Sequence, residues 1–159
     1  MATQVINSPV GPLQISANAQ GLCAVHYGPG PGGSGDGSPA ARRTLERAIE
    51  QLAAYWAGTR RTFDLPLDLA AGTPFQQAVW RAVALVPFGQ TVSYGELAGR
   101  IGRPAAMRAV GQALGANPIA IVVPCHRVLR SDGRLGGYAG GLANKRRLLA
   151  HEGHNDLKD

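Results

Sequence analysis

The sequence predicts an α+β fold from three observations: short alternating segments split by turn residues over the first 27 positions, one amphipathic helix after them, and a change at Thr73 to short, capped helices. The expected organisation is a small N-terminal antiparallel sheet lobe with a helix, residues 1–72, followed by a mainly helical C-terminal lobe, residues 73–159, containing a helix-turn-helix. With 159 residues, 45 % of them hydrophobic, the chain can bury one core or two small ones. Charged residues are only 16 % of the total, which excludes a highly charged disordered chain and a coiled coil. No apolar run approaches the roughly 20 residues of a membrane-spanning helix. The opening MATQVINSPVG lacks the basic cluster and apolar stretch of a secretory leader, so a cytoplasmic protein without a membrane partner is expected.

Three strands are expected at Thr3–Asn7, Leu13–Ala17 and Leu22–Tyr27, because Ser8-Pro-Val-Gly-Pro12 and Asn18-Ala-Gln-Gly21 carry turn chemistry. Residues 28–39 contain six glycines and three prolines. So little side chain does not offset the entropy of ordering, and the segment reads as a mobile surface loop. From Ala40 to Ala57, the residues Leu45, Ile49, Leu52 and Trp56 fall at helical spacing, with Gly58 as the stop. Phe63–Leu69 is a strand or a linker.

Thr73 supplies an N-cap and Pro74 a first-turn proline, after which Phe75, Val79, Ala82, Val83 and Val86 share a face until Pro87. Ser93-Tyr-Gly-Glu96 is a capping box opening a helix to about Ile101. Gly102-Arg103 makes a turn, and a second helix runs from Pro104 to near Asn117-Pro118. Such a pair is a helix-turn-helix or an ordinary helical hairpin. Its second helix is built of small residues, Ala109, Gly111, Ala113 and Gly115, and each interior glycine costs roughly 0.8–1 kcal/mol against alanine. Either another helix or a nucleic-acid groove approaches this backbone closely; Arg100, Arg103 and Arg108 favour the groove.

The net charge of +6 is concentrated: residues 100–147 hold nine basic side chains against Asp132 alone, while residues 1–99 balance. A basic third of the chain is the footprint of a polyanion, or a solvated basic face. Ile119–Pro124 reads as a buried strand leading into Cys125-His126. Side chains adjacent on a strand face opposite ways, so the two meet only across a turn at Pro124, and a structural thiol and a nucleophile both stand. Ser131–Arg134 is a hairpin turn, and the glycine-rich loop Gly136–Gly141 lacks the pattern of a P-loop. The last helix, Leu142 to about Glu152, carries Lys145, Arg146 and Arg147 outside. Glu152 at its C-terminus opposes the helix dipole, as a surface residue or as one recruited to orient a histidine.

Together, Ile121-Val-Val-Pro-Cys-His-Arg-Val128, Val92-Ser-Tyr-Gly-Glu-Leu-Ala98, Arg108-Ala-Val-Gly111, Asn117-Pro118, Tyr138 with Gly140-Gly-Leu142, and Leu148-Leu-Ala-His-Glu-Gly153 resemble the O6-alkylguanine-DNA alkyltransferases. The resemblance runs from Thr73 to Gly153 and weakens before it, to Ser8-Pro-Val-Gly-Pro-Leu13 and Phe75-Gln-Gln77. It implies a DNA repair protein that moves an alkyl group from O6-alkylguanine irreversibly to its own Cys125, with His126 as the base, Glu152 orienting it, and Asn117 bracing the turn. It further implies that Tyr94 acts on the flipped nucleotide, that Arg108 enters the base stack, and that Val128, Tyr138, Ala139, Gly111 and Leu114 bound the substrate. The implied partner is double-stranded DNA held through the minor groove by a monomer, with no cofactor and no metal. Some members carry Ser where Ala139 stands, leaving only a backbone amide here, and some carry Pro where Ala120 stands. Relatives that bind zinc use four ligands; Cys23 and His26 supply two, so Cys23 is expected to be a buried strand residue.

Overall fold

The computed structural model describes residues 1–30 and 37–159, in two compact units. The first holds Met1–Ala71 and Pro118–Val122; the second holds Gly72–Asn117 and Val123–Asp159. The architecture is α+β, and among the described residues no helix is long and apolar enough to cross a membrane.

In the first unit, β1 (Ala2–Ile6), β2 (Leu13–Asn18) and β3 (Gly21–Tyr27) form an antiparallel sheet in sequence order. Ile15 pairs with Gln4 on one side and Val25 on the other. The central strand is buried from Leu13 to Ala17. Helix α1 (Pro39–Trp56) packs on this sheet, with the Ser38 hydroxyl accepting from the Ala41 amide as its cap. Its buried stripe is Ala41, Thr44, Leu45, Ala48, Gln51, Leu52 and Tyr55. The expected stripe is thus rotated: Ile49 and Trp56 are half-buried, and Tyr55 takes the core position because it continues the spacing from Ala48 and Leu52. The loop expected over 28–39 lies at 31–36 outside the described residues, while Ser38 and Pro39 already belong to the helix start. Phe63–Leu69 is a linker with a single bridge, Leu67 beside Leu22.

The strand expected over Ile119–Pro124 does not form. Ile119 makes one bridge to Val25, and the Val122 amide then donates to the Ala120 carbonyl at 2.8 Å across Ile121. With φ at 71°, Ile121 is the one non-glycine residue at positive φ among the described residues. That combination is a γ-turn of the strained kind, held here on a fully buried β-branched side chain. The run is buried as expected, but its backbone turns.

In the second unit, α2 (Pro74–Ala84) opens on a capping box between Thr73 and Gln76 and buries Val79, Trp80 and Val83. The Trp80 indole donates to the Ala113 carbonyl at 2.8 Å, fixing α2 to α4 (Met107–Gly115). Helix α4 begins at Met107, not at Pro104, which lies in the preceding turn; Ala106 at its start offers no side-chain cap. Helix α3 (Tyr94–Arg100) has the Ser93–Glu96 capping box. Just before it, β4 (Val92–Ser93) pairs in parallel with β5 (Val128–Leu129). This short pairing joins the start of α3 to the residues that follow Cys125. Helix α5 (Leu142–His151) closes the unit, and Leu157 from the tail packs on Leu129, Leu135 and Leu149.

Candidate active site

Cys125 is delivered by two bends in succession. Pro124 sits at φ −84°, ψ 63°, and the Cys125 amide donates to the Val123 carbonyl at 2.8 Å, an inverse γ-turn that suits the proline ring. Cys125–Arg127 then form one 3-10 turn. A turn at Pro124 is thus present, as the sequence allowed. Asn117 and Val123 are the residues on either side of the 118–122 excursion, and the Asn117 amide nitrogen staples them, donating to the Val123 carbonyl at 2.8 Å and to Cys125 Sγ at 3.1 Å.

Cys125 is 8 % exposed and lines a cavity of about 170 Å³ with Tyr94, Gly111, Leu114, Gly115, Gly137, Tyr138 and Ala139. Burial pushes its thiol pKa up, while the Asn117 hydrogen bond, the Lys145 charge and the Tyr138 hydroxyl act against that push. Gly111 and Gly115 present open backbone to the cavity: a Cβ on Gly115 would meet nothing within 4 Å, and one on Gly111 only the Tyr94 ring at 3.9 Å. Among the described residues the backbone of no other helix comes within 4 Å of a Cβ at Gly111 or Gly115, whereas Ala113 faces the core, where Trp80 of α2 reaches its carbonyl. At Gly136, φ is +70° and a Cβ would stand 2.9 Å from the Tyr94 hydroxyl, so the wall under Tyr94 needs glycine there. That hydroxyl points at the Gly137 carbonyl, 3.5 Å away.

Next to Cys125 in the sequence, His126 joins a buried ion-pair network. His126 Nε2 meets Glu152 Oε2 at 2.8 Å, and both side chains are wholly buried. Burial lowers the His126 pKa despite Glu152, and that favours the neutral ring. A neutral ring that donates from Nε2 to the carboxylate leaves its lone pair on Nδ1, which is buried without a hydrogen-bond partner. Burial alone would raise the Glu152 pKa, but the hydrogen bonds from His126 and Arg127 and the Arg127 charge hold it well below the usual carboxylate range. Glu152 is therefore no surface residue: it is the C-cap of α5, turned inward to a histidine.

Arg127 and Lys145, counted from the sequence among surface cations, are both buried. Arg127 grips Glu152 through Nε at 2.7 Å and Nη2 at 2.9 Å and donates from Nη1 to the Val86 carbonyl. Lys145, expected outside α5, donates to the carbonyls of Val128, Leu135 and Gly137; Arg146 is half-buried beside the tail, and Arg147 alone of the three is exposed. Helical spacing held the missed signal, since Lys145 stands three and four positions before the buried Leu148 and Leu149. For Arg127 no local signal existed, because its partner is 25 positions away.

Arg100, Arg103 and Arg108 are exposed around α3 and α4. Arg108 borders a second cavity of about 500 Å³ with Tyr94, Met107, Gly111 and Arg130. In the first unit Cys23 is half-buried rather than buried, and it shares a cavity with His26 and Asp68. Among the described residues, no three His, Cys, Asp or Glu side chains gather as a metal-holding group.

Known proteins match both units. Residues 1–69 match the ribonuclease-like domain, and residues 74–154 the DNA binding domain, of 6-O-methylguanine DNA methyltransferase. The methylated-DNA–protein-cysteine methyltransferase of Mycobacterium tuberculosis is 44% identical over 161 residues, covering 94% of this chain and 90% of its own length. That of Methanosarcina barkeri is 43% identical, covering 98% and 99%. The crystal structure of Mycobacterium tuberculosis OGT in complex with DNA has a TM-score of 0.85 at 44% identity, covering 99% of this chain and 96% of that one. The O6-methylguanine-DNA methyltransferase of Pyrococcus kodakaraensis has a TM-score of 0.58 at 25% identity, covering 96% and 99%.

Proposed function

The chain belongs to the 6-O-methylguanine DNA methyltransferase family, and from that premise we propose that it repairs DNA by taking the alkyl group of O6-alkylguanine onto Cys125. One observation carries the reading: a sulfur at the edge of a small cavity that accepts a hydrogen bond from Asn117, adjacent in sequence to a neutral histidine held by Glu152.

The His126 Nδ1 lone pair takes the thiol proton through a water, and Glu152, itself held in place by Arg127, stabilises the imidazolium that results. The thiolate forms a bond to the alkyl carbon as the bond from that carbon to O6 breaks, and the electron pair leaves with the guanine. A soft sulfur suits displacement at carbon, and donors to the departing base lower the barrier. Tyr94 donates to N3 and the Ala139 amide to O6, while the Cys125 and Val128 carbonyls accept from the guanine amino group. The Val128 carbonyl already accepts from Lys145, so its second lone pair serves the base. The product is a thioether that nothing regenerates, and each molecule acts once.

A base inside a duplex is out of reach, so the nucleotide is extruded, at a cost of a few kcal/mol met by contacts in the pocket. Helix α3, its turn and α4 act as the helix-turn-helix, with α4 in the minor groove and Arg108 in the stack where the base was. The open backbone of Gly111 and Gly115 and the exposed Arg100, Arg103 and Arg108 support this. The protein works as a monomer and needs no cofactor.

The test is intact-protein mass after mixing with a duplex containing one O6-methylguanine. One methyl group per molecule, mapped to Cys125, is expected. A Cys125→Ala variant that still demethylates the duplex refutes the assignment.

A further inference from the structure

The cavity that Arg108 borders adjoins the Cys125 cavity, and the reaction as described does not use it. Tyr94, Gly111 and Gly137 line both, so Tyr94 stands at the boundary between the smaller cavity and a space of about 500 Å³ beside it. The rest of that lining includes Arg108, Arg130 and Ser131 and no carboxylate. Two guanidiniums on one cavity repel, and an anion between them relieves the repulsion. Arg130 is held there by its backbone. Ser93 pairs with Leu129 in the β4–β5 ladder, so Tyr94 and Arg130 leave it side by side. The Arg130 amide donates to the Arg134 carbonyl and the Gly133 amide to the Arg130 carbonyl, both at 2.9 Å, in a turn that Gly133 permits at φ +83°. The Arg130 stem lies over Gly136, where a Cβ would meet its Cγ at 3.3 Å and the Tyr94 hydroxyl at 2.9 Å. The exposed guanidinium pairs with Asp132 at 3.2 Å, a carboxylate that Arg134 also approaches at 3.8 Å.

We propose that Arg130, with the Ser131 hydroxyl, binds a phosphodiester of the strand that carries the extruded base, giving up Asp132 in exchange. The inference rests on the alkyl-transfer reading of the site, since a base in the Cys125 cavity leaves its sugar and phosphates outside, beyond Tyr94, where the second cavity lies. Arg108 enters the base stack in that reading, so Arg130 is the cation of this cavity left for the backbone. An exposed ion pair is weak, whereas a guanidinium takes two oxygens of a phosphate at once. The exchange does not strand Asp132: Arg134 stays beside it, and its Oδ1 keeps the hydrogen bond from the Arg134 amide at 3.1 Å. A guanidinium that served only the turn would hold Asp132 and answer to no phosphate.

The experiment follows the anisotropy of a fluorescein-labelled duplex with one O6-methylguanine as it binds Cys125→Ser protein, which has no sulfur there to alkylate, across a salt series. Adding Arg130→Ala is expected to weaken binding about tenfold at low salt and to flatten the double-logarithmic salt slope by about one, the counterion share of one phosphate. Arg130→Lys should keep the slope and lose part of the affinity, because the charge stays and the fork goes. Asp132→Asn should tighten binding by releasing Arg130. An unchanged slope in Arg130→Ala, or binding no tighter in Asp132→Asn, overturns the proposal. The contact is located by replacing each phosphodiester flanking the lesion with an uncharged methylphosphonate. At one of them the loss should overlap with that of Arg130→Ala, so that both changes together cost little more than either. Losses that add at every position overturn the proposal, for Arg130 would then act only through its field. In protein that keeps Cys125, Arg130→Ala should slow transfer from the duplex more than transfer from free O6-methylguanine, which carries no phosphate; equal slowing overturns the proposal. Coupling to one phosphate without methylation of Cys125 in the unaltered protein overturns only the functional reading, and methylation with additive losses overturns only this one.

Discussion

The two cysteines occupy regions with opposite hydrogen-bond chemistry. In β3 the Cys23 thiol donates to the Ser16 carbonyl at 3.4 Å, so its protonated form is the one bound; burial and then the Asp68 charge push its pKa up. At the Pro124 turn Cys125 is an acceptor, taking a hydrogen bond from Asn117 at 3.1 Å, with Lys145 as the cation that acts on it. Burial raises both pKa values and is greater at Cys125. Burial therefore does not separate the two thiols. What separates them is whether the surroundings offer the sulfur donors or acceptors.

The harshest way to break the contrast is to remove the carboxylate behind Cys125. Glu152→Gln leaves Arg127 buried without its counter-ion and sets a neutral amide in place of the carboxylate that holds His126. Breaking a buried pair in this way costs about 3–5 kcal/mol. Thermal unfolding should show that loss near neutral pH and should show it shrink in acid. The sign follows from the depressed folded-state pKa: the contribution is fully present above the unfolded carboxylate value of about 4.3 and is lost as pH falls from there toward the lower folded value. A variant as stable as the unaltered protein at neutral pH would mean that Glu152 is not held as described.

A milder change makes Cys125 more like Cys23. Asn117→Ala removes the donor to the sulfur and the bond to the Val123 carbonyl together. Hydrogen bonds to charged groups are worth about 1.5–3 kcal/mol, so the thiol midpoint should rise by one to two units, with iodoacetamide labelling of Cys125 slowed about tenfold or more. An unshifted midpoint would show that the donor role of Asn117 is only structural.

How much of this was legible in the sequence depended on how far apart the partners lie. The caps at Thr73 and Ser93 act within three residues and read correctly, including the reciprocal Glu96 bond; the reciprocal bond of Gln76 to Thr73 is a further one that the sequence reading passed over. The roles implied for Cys125, His126 and Glu152 came only through motif resemblance, since the residues themselves left a structural thiol open; the His126–Glu152 contact is what the structure adds. The run from Ile119 to Pro124 misled because an apolar stretch looks the same whether it pairs as a strand or bends inside a core. The positive φ of Ile121 is imposed by its surroundings and has no local signal. Helix α4 starts late because Pro104 suits a turn as well as a first helical position. Arg127 and Lys145 misled for the reverse reason: cations are scored as solvated unless a partner is seen, and theirs are tertiary.

The smallest expected effect lies at the other sulfur. Asp68 is held by Asn18 at 2.6 Å, and its charge is one of the causes that raise the Cys23 pKa. Asp68→Asn removes that charge while burial, the larger cause, stays. Through solvent the interaction of two charges is weak, on the order of 1 kcal/mol at contact and less beyond. Cys23 should therefore label at most a few-fold faster with iodoacetamide at neutral pH, while Cys125 labels at its unaltered rate. The gain should also fade as salt is added, because only the charge term is screened. If Cys23 instead rose to the rate of Cys125, a single carboxylate would be what keeps it inert, and the donor-against-acceptor distinction would be wrong.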